Sequence, residues 1–257
     1  MRRYVDGRWG QVHIEEAGEG PPLVLLHQSP LSGGQFRPAL PHLAQHFRVI
    51  APDTPGFGAS DAPPVPAGID DHADALAGLL DGLGLARVHL LGHHTGAAIA
   101  AAFAVRHADR VDRLILNGVP LLTDEERAHF RTFRFAPLLP RADGRHLLDA
   151  WNQRLAATPG WTDLDAMHRH LATMLGNPER YYWLFEPVFA HDLAADLNVI
   201  SAPTLVFSNS GEDLFEASKR AAAMRPDWGF AALGGGTHDI VDEQPEDWAR
   251  VVSEFLR

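Results

Sequence analysis

Short runs of apolar residues alternate along the chain with segments in which apolar residues recur at helical spacing. The run Pro22–Leu26 is apolar at every position, which is typical of a strand buried on both faces of a sheet. The predicted strands are Val12–Ala17, Pro22–Leu26, Phe47–Ala51, Val88–Leu91, Val111–Asn117, Pro203–Ser208 and Gly229–Leu233. The predicted helices are Asp70–Leu85, Thr95–His107, Phe215–Met224 and Pro245–Leu256. The alternation predicts an α/β fold with a mostly parallel sheet covered by helices on both faces.

The alternation stops between residues 121 and 196. This segment has no strand signal and consists of helical pieces rich in large aromatic side chains, among them Phe130, Trp151, Tyr181 and Phe189. An aromatic stripe is more often core than pocket, but an inserted segment must pack on the main domain and cover whatever opens at the strand ends. We therefore predict a helical cap at residues 121–196 that lines an apolar site, inserted into a core formed by residues 1–120 and 197–257.

Composition narrows the possible partners. The 257 residues carry a formal net charge of −11, and an acidic surface disfavours nucleic acid and anionic lipid. The chain has no cysteine, so disulfides, a cysteine nucleophile and thiolate metal ligands are excluded. No apolar stretch is long enough to span a bilayer, and no signal peptide is evident. These features predict a cytoplasmic protein that binds a small molecule, needs no cofactor and can form a homodimer.

The most informative local signal is the turn Leu91-Gly92-His93-His94-Thr95-Gly96. A predicted strand enters it and an alanine-rich helix leaves it, with glycines two residues before and two residues after His94. Such a strand–turn–helix places its central residue in a strained, exposed position at the carboxyl end of the sheet, and the flanking glycines avoid clashes with the neighbouring backbone.

Two later loops carry groups that can act with this turn. Asp213 follows the predicted strand Pro203–Ser208, and His238 follows the predicted strand Gly229–Leu233 in a glycine-rich loop. The chain order is thus turn residue, acid, histidine. Upstream, the strand Pro22–Leu26 runs into His27-Gln28-Ser29-Pro30, where a loop that binds an oxyanion belongs.

These motifs, together with the segment Val49–Asp61, resemble the capped α/β-hydrolase-fold family that includes epoxide hydrolases, haloalkane dehalogenases and carbon–carbon-bond hydrolases. The resemblance covers essentially the whole chain and implies a mostly parallel eight-stranded sheet. It implies that Asp213 orients His238, that His238 is the base, and that the backbone N–H groups of Ser29 and Thr95 form the oxyanion hole.

The sequence departs from the family at the turn, where the nucleophile is usually Ser, Asp or Cys and this chain has His94. Gln28 also stands where the family usually has glycine. His94 could attack an acyl carbon directly, or share acid and base work with His238. The expected reaction is hydrolysis of an ester, lactone or related acyl bond in a small to medium apolar substrate. The alternatives are a lyase and a binding protein without turnover.

Other polar residues near these loops have less defined expected roles. His27 and His93 are candidates for substrate binding with Gln28, whereas a metal held by them is not expected, because no ligand spacing on one face is evident. Thr95 and Ser210 are weaker candidates for a nucleophile. Glu212 and Asp239 are expected to be solvated neighbours of the Asp213–His238 pair.

Overall fold

A computed structural model describes residues 1–133 and 135–257. It contains one eight-stranded sheet with the order β1-β2-β4-β3-β5-β6-β7-β8. The strands are β1 Arg2–Gly7, β2 Gly10–Ala17, β3 Pro22–Leu26, β4 Arg48–Pro52, β5 Val88–His93, β6 Val111–Asn117, β7 Thr204–Asn209 and β8 Gly229–Leu233. β1 and β2 pair antiparallel, β2 also pairs antiparallel with β4, and the remaining pairs are parallel. The predicted fold class is confirmed.

Helices cover both faces of this sheet. The helices of the described residues, including those of the segment between β6 and β7, are α1 Leu40–Leu43, α2 Ile69–Gly82, α3 Thr95–Arg106, α4 Asp124–Arg131, α5 Arg145–Ala157, α6 Leu164–Gly176, α7 Phe185–Ala190, α8 Leu193–Val199, α9 Phe215–Met224, α10 Ile240–Glu243 and α11 Pro245–Leu256. α2, α3 and α8 pack on one face, and α1, α10 and α11 pack on the other. None of the helices in the described part of the chain is long and apolar enough to cross a membrane.

The central strands are apolar at consecutive positions because each face supplies its own core. Neighbouring residues of β5 show this directly, since Leu90 packs with α2 and α3 while Leu91 packs with α11. The same holds for Val24 and Leu25 in β3, which lies beside β5. A sheet buried on both faces leaves its strand ends as the place where polar groups reach a cavity.

Between β6 and β7 the described residues form helices α4 to α8 and no strand. We call residues 118–203 the helical insertion. Part of it has a small core of its own, formed by Ala150, Met174 and Tyr181. Another part packs on α9 through Leu122 and Phe189. The predicted boundary between residues 196 and 197 lies inside α8, which packs with α3 on the sheet.

Candidate active site

His94 occupies the sharp turn between β5 and α3. Its backbone has φ of 51° and ψ of −108°, and among the described residues it is the one non-glycine residue with a positive φ. A Cβ at Gly92 would overlap the backbone of Gly96, and a Cβ at Gly96 would overlap the Leu26 carbonyl. The turn therefore holds His94 at the carboxyl edge of the sheet, in a conformation that costs free energy and persists only because the surroundings enforce it.

A cavity of about 680 Å³ opens at this edge, between the sheet and the helical insertion. Polar groups that follow four strands line it: Ser29 after β3, His94 and Thr95 after β5, Asp213 after β7, and His238 after β8. Most of the remaining wall is apolar. Its phenyl and phenol rings come from the insertion and are Phe130, Phe133, Phe135, Tyr181, Phe185 and Phe189. The cavity thus suits an apolar molecule that presents one polar group to the strand ends.

His94 contacts a buried carboxylate. Its Nε2 lies 2.5 Å from Glu212 Oε2, and the Glu212 side chain is fully buried. The other carboxylate oxygen accepts hydrogen bonds from the Ser208 hydroxyl and, at 3.4 Å, from the Asn209 N–H. Burial alone would raise the pKa of Glu212, but the His94 imidazole and these two donors outweigh burial and hold its pKa below the usual value. Glu212 is therefore a carboxylate near neutral pH.

The ionised Glu212 determines which nitrogen of His94 carries the proton. A carboxylate only accepts hydrogen bonds, so the neutral imidazole must place its proton on Nε2. None of the described residues hydrogen-bonds His94 Nδ1. The pair therefore presents an unprotonated Nδ1 on a ring that lines the cavity, backed by a carboxylate that stabilises the imidazolium if Nδ1 gains a proton.

His238 contacts an arginine from the helical insertion. Arg154 Nη1 donates to His238 Nε2 at 2.8 Å, and Arg154 Nη2 donates to His170 Nδ1 at 2.9 Å. Burial lowers the pKa of His238 to about 4, and the positive Arg154 adds to this effect. His238 is thus neutral near pH 7.

The Arg154 guanidinium also forms an ion pair with Asp239, whose side chain is fully buried. The second Asp239 oxygen accepts a hydrogen bond from Gln28 Nε2 at 2.9 Å. Burial alone would raise the pKa of Asp239, but the two facing imidazoles and the guanidinium hold it well below its usual range. Asp239 and Glu212 are therefore not the solvated groups that the sequence predicted, since both are buried and hydrogen-bonded.

The structure does not bring Asp213 to His238. Asp213 is exposed at the cavity wall, and no hydrogen bond or ion pair joins it to the other described residues. After β7 the loop turns so that Glu212 points inward while Asp213 points outward, and the inward acid reaches His94. The orienting acid predicted at Asp213 is thus replaced in this geometry by Glu212, and it acts on His94 instead of His238.

One of the two predicted oxyanion donors is available. No described residue accepts from the Thr95 backbone N–H, which lies at the first position of the twelve-residue helix α3. The Ser29 N–H instead donates to the Thr95 hydroxyl at 3.3 Å. Gln28 lines the cavity, but its donors are already used: its backbone N–H donates to Gln35, and its side-chain amide donates to Asp239.

His27 and His93 are buried behind the site and do not line the cavity. His27 Nδ1 bonds the Gln28 carbonyl, and its Nε2 accepts from the Thr54 N–H, both at 2.9 Å. Burial lowers the pKa of His27 and lowers that of His93 further. The substrate-binding role predicted for these two histidines is therefore not supported, because backbone and core groups surround them.

The side chains of His93, His94 and Glu212 bring three possible metal-ligating atoms within 4.8 Å of one another. Hydrogen bonds argue against a metal ligand at His93. Gln35 Oε1 already accepts from Gln28 N–H, so its amide nitrogen faces His93 Nδ1 at 2.5 Å. Nδ1 must then be the acceptor, and the proton sits on Nε2, which is the one remaining nitrogen that could bind a metal.

Sequence reasoning missed Glu212 and Arg154 as site residues. Both acids of the Glu212-Asp213 pair follow β7, and the sequence carries no signal for which of them turns inward. Arg154 lies in an amphipathic helix far from the other motifs, where an arginine is usually a solvated surface residue. Only the packing of α5 over the strand ends brings it to His238.

Comparisons with known proteins agree with this architecture. A model of the alpha/beta hydrolase fold matches residues 21–215. The putative carbamate hydrolase RutD of Pantoea ananatis is 30% identical over 237 residues, which cover 88% of this chain and 84% of that protein. A 2-hydroxy-6-oxo-2,4-heptadienoate hydrolase of Pseudomonas putida is 40% identical over 112 residues, so the match spans only 41% of that protein's length and 42% of this chain.

Among solved structures, a thermophilic esterase from Thermogutta terrifontis superposes with a TM-score of 0.82 at 26% identity, covering 100% of this chain and 98% of that one. The match to the family model covers well over half of the chain and includes β3 to β7 with the turn at His94. The chain therefore belongs to the α/β-hydrolase-fold family of enzymes.

Proposed function

We propose that this protein hydrolyses an ester or lactone bond of a small to medium apolar carbonyl compound, with water activated by His94. The observation that carries the proposal is the 2.5 Å contact between His94 Nε2 and the buried Glu212 carboxylate. It gives an imidazole in one tautomer, held in one orientation, beside the cavity. These are the properties that a general base needs.

In the proposed reaction a water molecule loses a proton to His94 Nδ1 as its oxygen attacks the carbonyl carbon. The negative charge that develops on the carbonyl oxygen is stabilised by the Thr95 N–H at the start of α3, where the helix dipole favours an anion. When the tetrahedral intermediate collapses, the carbon–oxygen bond to the leaving group breaks and His94 returns the proton to the departing oxygen. Glu212 remains ionised throughout.

The geometry favours a base over a covalent nucleophile. The nitrogen left free on His94 is Nδ1, which is bonded to the ring carbon that carries Cβ, so an acyl group there would crowd the residue's own backbone. The other nitrogen is blocked by Glu212. The ring edge at Nε2 also packs on Gly118, where a Cβ would overlap the imidazole. A water molecule needs far less room at Nδ1 than an acyl carbon does.

The cavity wall supports an apolar substrate. Phe135 and Phe185 stack with ring centroids 3.9 Å apart, and Phe130 stacks on Phe189. The cavity's one described cation, Arg154, already has an ion pair with Asp239 and hydrogen bonds with two imidazoles. An acyl bond is also compatible with relatives that are named a putative carbamate hydrolase and an esterase.

The test follows the release of 4-nitrophenol from 4-nitrophenyl butyrate by stopped flow, with acid-quenched samples analysed by intact mass. We expect release that is linear from the first turnover, no adduct on the protein, and a rate that falls in D2O because a proton moves in the rate-limiting step. Hydrolysis of a δ-lactone, followed by the acid that it produces, should likewise be slower in D2O and leave no adduct on the protein.

The test variant Glu212→Gln should lower the rate, whereas its matched control Glu216→Gln, which removes an exposed carboxylate from α9, should leave the rate unchanged. A burst equal to the enzyme concentration, with a butyryl adduct on His94, would show covalent catalysis and contradict the proposed role of water. If esters and lactones are inert while the protein cleaves β-dicarbonyl compounds without adding water, the enzyme is a lyase. Saturable ligand binding without any turnover would indicate a binding protein.

A further inference from the structure

We propose that Arg154 is a positioning residue: it fixes His238 as a hydrogen-bond donor through Nδ1–H, and it does so only while the helical insertion is seated on the sheet. The proposal deepens the proposed function, on which it rests for its catalytic readout, because it assigns His238 a part in the same reaction. It also reverses the role expected for His238, which was that of a base.

First, the chemistry of the two side chains fixes the direction of the hydrogen bond between Arg154 and His238. A guanidinium has five N–H donors and no acceptor, and it keeps its charge throughout the working pH range. Arg154 Nη1 lies 2.8 Å from His238 Nε2, so Nε2 must be the acceptor. In a neutral imidazole the single proton is then on Nδ1. The basic nitrogen of His238 is thereby occupied, and a base role is blocked.

The second step is the rigidity of Arg154 itself. Arg154 Nη2 pairs with the fully buried Asp239 carboxylate and also donates to His170 Nδ1, while Nη1 donates to His238. Asp239 is in turn held by Gln28, and His170 Nε2 donates to Asp242 at 2.9 Å. A planar guanidinium with this many partners cannot rotate to follow a different tautomer of His238.

The third step is what the donor can reach. His238 lines the cavity, and its ring centroid is 6.1 Å from that of His94. None of the described residues accepts a hydrogen bond from His238 Nδ1–H. A carbonyl oxygen or a leaving oxygen between the two rings can therefore accept from Nδ1–H while His94 activates water. This is a hydrogen bond only, and no proton leaves His238.

The arrangement joins the two parts of the chain. Of the thirteen residues of α5, all of them described, only Ala150 is buried, and it packs with Met174 and Tyr181 inside the insertion. Arg154 is the described residue of α5 whose side chain hydrogen-bonds the loop after β8. If α5 moves away, His238 loses its donor and Asp239 loses its counter-ion together. The correct tautomer of His238 thus depends on the seated insertion.

The experiment reads the tautomer of His238 by ¹⁵N NMR of histidine-labelled protein, with His238→Gln used to assign the signal among the 15 histidines. Arg154→Met removes the donor. Because this variant leaves the buried Asp239 without its counter-ion and can fail to fold, the double variant Arg154→Met/Asp239→Asn removes both charges. Arg169→Gln is the matched control. Arg169 also lies in the insertion and pairs with Asp242 of α10, but it does not hydrogen-bond His238. Arg154→Lys is the conservative variant.

We expect His238 to carry its proton on Nδ1 in the wild type, in Arg169→Gln and in Arg154→Lys, and to lose this preference in both Met variants. For ester hydrolysis, kcat should fall roughly 100-fold in the Met variants with KM little changed, as when one oxyanion donor is removed. A proton on Nε2 in the wild type, or a tautomer unchanged in the double variant, would overturn the proposal. The NMR result decides this even if acyl adducts on His94 show that the proposed function is wrong.

Discussion

Replacing Glu212 by glutamine should move the proton of His94 from Nε2 to Nδ1, and the hydrogen bonds of the Glu212 side chain show why. The Ser208 hydroxyl and the Asn209 N–H both donate to one carboxylate oxygen, so the glutamine amide should keep its oxygen there. Its NH2 group then faces His94 Nε2, where the wild type has an acceptor. Two donors repel each other, and His94 relieves the repulsion by moving its proton to Nδ1.

The shifted proton removes the base. Nδ1, which has to accept the proton of water, is then already protonated in the major tautomer. In serine-hydrolase triads the amide replacement that inverts a histidine tautomer lowers kcat by about 10⁴-fold. We expect kcat for 4-nitrophenyl butyrate to fall about 10³- to 10⁴-fold, equivalent to about 4 to 5.5 kcal/mol of transition-state stabilisation. KM should change little, because Glu212 is buried behind His94 and does not line the cavity.

The fold should tolerate this change. The amide keeps the bonds to Ser208 and Asn209 and gains an N–H donor to Nε2, so the free energy of unfolding should change by only about 1 kcal/mol. Urea unfolding checks this, and Glu216→Gln is again the control. A loss of less than tenfold in kcat, in a variant that is folded by this test, would refute the assignment of Glu212 as the group that sets the His94 tautomer.

Three further substitutions test the packing of the His94 ring, the aromatic wall of the cavity and the titration of a buried histidine. Gly118→Ala places a Cβ against the His94 ring, at a residue whose φ is +61°, so kcat should fall about 100-fold while the protein still folds. Wild-type kinetics in this variant would contradict the packing described for His94. Phe185→Ala removes one ring of the stacked pair and should raise KM for aryl esters roughly 3- to 10-fold without affecting a short alkyl lactone. Equal effects on both substrates would argue against stacking. Burial lowers the pKa of His72 to about 4, from 6.5 in the unfolded chain. The unfolded state therefore binds the proton first, and stability falls as the pH drops from 6.5 towards 4. In His72→Leu the loss of unfolding free energy between pH 7 and pH 4.5, measured by urea titration, should be smaller than in the wild type by about 2 kcal/mol; an equal loss in both proteins would show that His72 does not titrate in this way.

Much of the fold follows from the sequence because its central strands are buried on both faces. The inner strands Pro22–Leu26 and Val111–Asn117 have the predicted bounds, as do the helices Phe215–Met224 and Pro245–Leu256. The edge strand Gly229–Leu233 also has its predicted bounds, because four of its five residues are apolar although only Leu233 is buried. β1 was not predicted, since it is an edge strand that buries only Val5 and so has no run of apolar residues. Burial on two faces requires a run of apolar residues, whereas an exposed edge strand can lack one.

The candidate site was only partly predictable for a related reason. His94 and His238 can be located from the strand ends and from the glycines beside them, because the backbone at these turns requires glycine. Which of two adjacent acids turns inward depends on the path of one loop, so Asp213 was expected and Glu212 is found. The contact between Arg154 and His238 joins segments 84 residues apart in the chain and depends on how α5 packs. Local sequence contains no information on such a contact.

The most direct test of the central claim is the tautomer of His94, read from the ¹⁵N spectrum of histidine-labelled wild type and of Glu212→Gln at a pH where the ring is neutral. His94→Gln assigns the signal. We expect a proton on Nε2 in the wild type and on Nδ1 in Glu212→Gln. A wild-type His94 that carries its proton on Nδ1, or exchanges freely between both forms, would contradict the claim that Glu212 prepares His94 as the base.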